Sequence, residues 1–267
     1  VTDIADPPRA NTVVALVGGV VAGFAAGMFG VGGGVLLVPF LVLLLKQPQH
    51  VAHATSLVAI VLAALSGVSR FGADGSVAVV GAIALAVGAV AGARLGATFL
   101  PKLTESRLRG LFGAVMLLIA VRFLIAGDTS GTGDTLPDMT AFLIALHVLG
   151  GLAAGISSAV LGVGGGVILV PLMVMGFGYG QHIAEGTSLA VIVPTAITGA
   201  IAHHKNRYTN WRLGVTIGAG SLLGGAAGAH VALGLDPSTL ARLFGGLLLI
   251  TAALMLYEKK DKAEVAA

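Results

Sequence analysis

The stretch GVGGGVLLVP, residues 30–39, sets four glycines within five positions and then passes directly into hydrocarbon side chains. Nearly the same string, GVGGGVILVP, returns at residues 162–171 and matches at nine of ten positions. Glycine-rich turns that open a helix commonly cradle phosphate, but a dinucleotide fingerprint needs a preceding strand, a βαβ unit and a ribose-binding acid about 20 residues on. Here both flanks are apolar runs and the next acid is Asp74. The reading that decides the fold is therefore a break in the backbone between two apolar segments, made twice.

The rest of the chain supplies the setting. Of its 267 residues 56% are hydrophobic and only 10% charged, with a mean hydropathy of +0.99, whereas soluble domains carry about 25% charged residues. Apolar stretches of the roughly 20 residues that cross a bilayer as helix recur from residue 12 almost to residue 257, leaving no room for a soluble catalytic domain. The opening VTDIADPPRANT reads as a short polar tail and not as a cleaved signal. Cysteine is absent, which excludes disulfides, thiolate catalysis and thiolate metal sites. No cofactor is expected.

The expected fold is an all-α polytopic membrane protein of about ten helical segments. They cover residues 11–29, 34–45, 51–70, 76–99, 107–126, 139–160, 166–177, 184–203, 211–234 and 239–257. The second and seventh are too short to cross alone: about 12 residues rise only ~18 Å, against a hydrocarbon core of ~30 Å. At an offset of 132 residues QHVAHATSLVAI (49–60) returns as QHIAEGTSLAVI (181–192) and SRLRGLFG (106–113) as STLARLFG (238–245), so the chain is two homologous halves. The division is a first repeat over 1–127, an external linker over 128–138 and a second repeat over 139–267, all within one membrane domain. Five segments per half is an odd number. If all five cross, the halves have inverted topology, as in many secondary transporters.

Basic residues weigh the same question. With every segment crossing, Arg9, Lys46, Lys102, Arg107, Arg109, Lys205, Arg207, Arg212, Lys259, Lys260 and Lys262 share one side and Arg70, Arg122 and Arg242 the other, eleven against three. If the short segments only dip and return, the split weakens to nine against five. The positive-inside rule favours crossing, with both termini cytoplasmic and the protein in the inner membrane.

Consecutive glycines interrupt a helix, and the groups they free must find partners in a medium without water, which confines such backbone to protein interiors or cavities. A short helix starting there would aim its amide groups and partial positive charge inward. Two such ends, one from each half, would face a common centre able to hold an anion. The candidate binding residues are Gly30, Gly32, Gly33 and Gly34 with Gly162, Gly164, Gly165 and Gly166. Hinge or packing roles remain the alternative for them. Glycines spaced by four (Gly19, Gly23 and Gly27; Gly88, Gly92 and Gly96; Gly224 and Gly228) read as helix-packing surfaces.

Thr55 and Ser56, repeated as Thr187 and Ser188, open the segment after each short helix. Their hydroxyls are candidates either to donate to an anion or to bond the backbone one turn earlier or a neighbouring helix. Gln49, His50, Gln181 and His182 read as solvated segment ends, and His147 as a helix-contact residue. Arg94 lies about a turn or two inside segment four, either anchoring at the interface or attracting an anion, with His230 aligned opposite it. All twelve acids lie in tails, in loops or near segment ends, Glu185 being the deepest candidate. Cation transporters and proton pumps keep intramembrane carboxylates, so their near absence suits a small anion. A membrane-embedded enzyme lacks a nucleophile and base grouped at one depth, and no metal site is expected.

The duplicated GVGGGxxLVP strings, the ATSL and GTSL that follow, and GARLGA in segment four resemble the sulfite exporter TauE/SafE family of membrane transporters over essentially the whole chain. That resemblance implies movement of sulfite, sulfonates such as sulfoacetate, or related organosulfur anions, often outward. The expectation is an alternating-access secondary transporter, with a passive anion channel on the same fold as the alternative. Its partners would be the small anion and the lipid bilayer, not nucleic acid, and a homodimer is left open.

Overall fold

The computed structural model describes residues 11–99, 105–126, 139–161, 165–205 and 209–264. Among them the regular structure is entirely helical, and the linker over 128–138 lies outside them. Helix α1 (Thr12–Phe29) opens on Asn11, whose side chain accepts from the Val13 amide, and α6 (Ala141–Leu161) on Thr140, which accepts from the Leu143 amide. These polar caps satisfy amides that the first turn leaves without a helical partner. In α10 (Pro237–Glu264) the cap is Asp236. Hydrogen bonds from the Ser238 hydroxyl, then the Thr239 amide and hydroxyl, lower its carboxyl to about 2.

The two short helices begin differently. Helix α2 (Gly34–Pro39) starts from Gly33 and α7 (Gly166–Pro171) from Gly165, neither with a side-chain cap. Each runs through its proline into a wider π-helical turn, Phe40–Leu44 and Leu172–Gly176. There the Leu45 amide bonds the Phe40 carbonyl at 3.2 Å and the Phe177 amide bonds the Leu172 carbonyl at 3.2 Å. A proline without an N–H cannot continue the α pattern, and the displaced register is carried by the π turn.

The remaining helices are α3 (Gln49–Ala73), α4 (Val79–Phe99), α5 (Glu105–Ala126), α8 (Gln181–Lys205) and α9 (Trp211–Gly234). Helices α3 and α10 begin two residues and α8 three residues before the expected segments, and all three end two to seven residues later.

Glycine stripes decide which helices touch. A Cβ on Gly19, Gly23 or Gly27 of α1 would fall on the carbonyl of Ile217, Ser221 or Gly225 of α9, and one on Gly220, Gly224 or Gly228 would fall on Leu16, Val20 or Phe24. The second half repeats this: Gly151 and Gly155 of α6 meet Leu85 and Ala89 of α4, while Gly88 and Gly92 meet Val148 and Leu152. These four contacts are each the counterpart, 132 residues away, of one between α1 and α9. Both pairs run parallel and bring backbones together where any larger residue would hold them apart.

Helix α3 lies parallel to α9, with Gly214 beside Thr55 and Val58 and Gly225 beside Ala63 and Ser66. It crosses α8 antiparallel, Leu57 meeting Gly199, Leu189 meeting Gly67 and Phe71 meeting Gly186. Large side chains such as Leu118, Ile125, Phe142 and Leu223 face outward at 67–80% exposure. A surface this apolar belongs against lipid. Among the described residues five helices are long and apolar enough to span a bilayer (α1, α3, α8, α9 and α10), and five further apolar stretches accompany them.

Candidate functional site

The first break begins where α1 ends. Gly30, Gly32 and Gly33 have φ of 66°, 74° and 76°, left-handed conformations that side chains disfavour. The chain thereby reverses. Gly33 lies against Ala22 and Ala26, and seven residues later the Phe40 ring covers Gly18, so the short segment runs back along α1. The second half repeats the path, with Gly165 near Ala154 and Ser158 and Leu172 against Gly150.

These reversals bring the two breaks together at depth. A Cβ on Gly166 would lie 2.5 Å from the Gly30 carbonyl oxygen and 2.6 Å from the Val31 Cα. Ile192 touches both Gly32 and Gly166, and Ile60 also touches Gly32. Ile60 and Ile192 are each the twelfth residue of a 25-residue helix, so Gly32 and Gly166 lie at the middle of α3 and α8, while Gly30 lies nearer the start of α8, against Glu185 and Ser188. Gly30, Gly32, Gly33, Gly34 and Gly166 are buried and Gly165 is half-buried. Gly162 and Gly164 lie outside the described residues.

The four hydroxyls divide by role. Thr187 Oγ1 accepts from the Ala78 amide at 2.9 Å and Thr55 Oγ1 from the Asn210 amide at 3.1 Å, two contacts related by the 132-residue offset. Each caps the entry to a neighbouring helix and keeps its own hydroxyl proton to donate. The serines part company: Ser188 Oγ donates to the Gly30 carbonyl at 2.7 Å, whereas Ser56 Oγ donates to His53 of its own helix at 2.9 Å. Ser188 thus ties α8 to the first break. Arg94 is exposed on α4, and the atoms nearest the described break glycines belong to other residues. His230 pairs with Arg70, its Nδ1 2.8 Å from an Arg70 nitrogen.

Two expectations about polar residues need correction. Gln49 and His50 are exposed as read, but Gln181 is 1% exposed and His182 is half-buried with Nε2 2.9 Å from the Ala232 carbonyl. Glu185, near a segment end in sequence, is fully buried and accepts from Gln181 Nε2 at 2.8 Å. A buried carboxyl group therefore sits beside the breaks, where the sequence suggested almost none. The signal was present in the QHIAEGTSL spacing, since Gln181 and Glu185 are one turn apart. Helix α8 begins earlier than expected and is covered by Gly30, so its first turns are interior. His147 behaves as a helix contact: Nε2 lies 2.9 Å from the Tyr179 hydroxyl, Nδ1 2.7 Å from the Leu143 carbonyl, and the ring stacks on Phe177.

Comparison with known proteins covers the same span. The family described as "Sulfite exporter TauE/SafE" matches residues 3–137 and 147–266. Probable membrane transporter protein YunE of Bacillus subtilis is 25% identical over 271 residues, 92% of this chain and 97% of its own. YdhB of the same organism, also named a probable membrane transporter protein, is 29% identical over 214 residues, 78% of this chain and 84% of its own. A probable membrane transporter protein of Xylella fastidiosa is 26% identical over 253 residues, covering 92% and 95%. No solved structure matches.

Proposed function

The chain belongs to the sulfite exporter TauE/SafE family, and from that premise we propose that this membrane transporter carries a small sulfur-containing anion, sulfite or a sulfonate such as sulfoacetate, outward across the cytoplasmic membrane. The observation that carries the reading is the meeting of the two breaks, Gly166 against Gly30 and Val31, level with the middle turns of α3 and α8. Glycine removes side chains from this centre, and α2 and α7 start there without side-chain caps, which leaves first-turn amides for an anion's oxygens. Gly30, Gly32, Gly33 and Gly34 hold it from the first half; Gly162, Gly164, Gly165 and Gly166 hold it from the second. The hydroxyls of Thr55, Ser56, Thr187 and Ser188 exchange backbone partners for the anion as the site opens, and Arg94 attracts it on the cytoplasmic path.

Alternating access follows from two inverted repeats rocking about that centre, with both termini cytoplasmic in the inner membrane. Contacts recurring at a 132-residue offset and the antiparallel passage of α3 along α8 support this arrangement. The test is counterflow in proteoliposomes. Vesicles preloaded with unlabelled sulfite or sulfoacetate are expected to draw in the labelled anion transiently, as a carrier does. Flux without counterflow would identify a passive channel on the same fold. Absence of flux for both anions, with the protein folded, overturns the assignment.

A further inference from the structure

Glu185 is a buried ionisable group that the anion site does not use. Its carboxyl oxygen Oε1 accepts from Gln181, while Oε2 and the Gln181 Oε1 have no partner. The backbone of Glu185 is also the surface on which Gly30 rests: a Cβ there would lie 2.7 Å from the Glu185 Cα. The carboxyl group is thus tied to the first break through direct packing.

Several charged and titratable groups of the surrounding elements have partners of their own. Arg70 of α3 bonds His230 of α9, and Asp74 accepts from Ser76. On α8 itself His182 bonds the Ala232 carbonyl, and Tyr179 before α8 bonds His147 of α6. Arg94 of α4 and Arg242 of α10 are exposed, and His53, at the equivalent position on α3, is half-buried. Helices α1 and α7 carry no titratable residue. A buried carboxylate without a counter-charge is costlier than the neutral acid.

We propose that Glu185 is the proton-coupling site of this transporter, taking up one proton together with each anion. On the side where the anion enters, the Glu185 carboxylate binds a proton from water; on the side where the anion leaves, the acid returns it. An anion at the glycine breaks disfavours a second negative charge a turn or two away, so anion and proton strengthen each other's binding, and by linkage the effect is reciprocal. The proton and the anion then move in the same direction, so export requires the outward anion gradient, with the membrane potential acting on any residual negative charge, to exceed the inward proton gradient. This inference rests on the anion-transport reading.

Two measurements test it. Infrared difference spectra of the reconstituted protein are expected to show the carbonyl stretch of a protonated carboxylic acid, lost in Glu185→Gln and shifted in Glu185→Asp. The Gln side chain keeps the volume and can still accept from Gln181. In proteoliposomes an acid-outside gradient should concentrate labelled sulfoacetate or sulfite, each corrected for protein-free vesicles. Glu185→Gln should lose that accumulation and keep anion exchange at equal pH. Absence of the infrared band, flux indifferent to the pH gradient, or accumulation retained in Glu185→Gln each overturns the coupling while leaving transport standing. If folded wild-type protein moves neither anion, the transport reading fails and the coupling with it.

Discussion

At the scale of single residues, the two serines separate sequence equivalence from structural equivalence. Ser56 and Ser188 occupy matching places in the repeat, yet only the second reaches across to Gly30, at 2.7 Å. Removing that hydroxyl in Ser188→Ala leaves a buried carbonyl short of a partner, at a cost of about 1–3 kcal/mol. Ser56→Ala gives up a bond to the carbonyl three residues earlier in its own helix, a back-bond worth less than about 1 kcal/mol. Thermal unfolding in detergent should therefore show the larger drop for Ser188→Ala, and equal shifts would sink the distinction. The pairing of Thr55 with Asn210 and of Thr187 with Ala78 was equally beyond the sequence, because a hydroxyl near a helix start has several backbone partners within reach. Glu185 shows the same limit more sharply. Sequence made it the deepest of the acids but still near a segment end, and full burial came from a loop 155 residues earlier folding back onto it.

At the scale of elements, what the sequence made legible was periodicity. Glycines at intervals of four announced packing faces, and the stripes over Gly19, Gly23 and Gly27, over Gly88 and Gly92, and over Gly224 and Gly228 each meet a neighbouring backbone. Their partners were not legible, since a smooth face fits any other smooth face. That α1 pairs with α9 and α6 with α4, each helix crossing into the other half, emerges only from the folded chain. The pairing makes a symmetric prediction. In Gly23→Ala the new methyl group falls on the Ser221 backbone and in Gly155→Ala on the Ala89 backbone, so each should destabilise by about 1–3 kcal/mol. Gly246→Ala, with nothing within 4 Å, should stay within about 0.5 kcal/mol of the parent. Melting temperatures and gel-filtration profiles of the three variants read this directly, and a Gly246→Ala loss matching the other two would remove the stripes as the cause.

At the scale of the whole molecule, the question is how a segment too short to span a bilayer still reverses the chain. Helix α1 spends most of its length reaching the Gly30 turn, Gly30 to Gly33 fold back to the middle of α3 and α8, and the short segment then descends beside α1 to Gln49. Because α1 and α3 both run parallel to α9, the chain has returned to its starting level before α3 begins. Parity and the placement of basic residues pointed the same way in sequence, but neither located the turn at mid-length. Two ends of the molecule follow from the packing. Gly214 beside Thr55 puts the starts of α3 and α9 at one level, and the Phe123 and Phe244 rings, 5.5 Å apart, put the end of α5 beside the start of α10. With the basic-rich side cytoplasmic, Gln49→Cys and Arg212→Cys should react with a membrane-impermeant maleimide only in inside-out vesicles, and Arg122→Cys and Arg242→Cys only in intact cells. The parent chain contains no cysteine to confuse the readout. A short segment that merely dipped would move Gln49 to the outside and Arg122 to the inside while leaving Arg212 and Arg242 where they are. Labelling of Gln49→Cys from the same side as Arg242→Cys would therefore overturn the crossing path, and with it the inverted relation of the two halves.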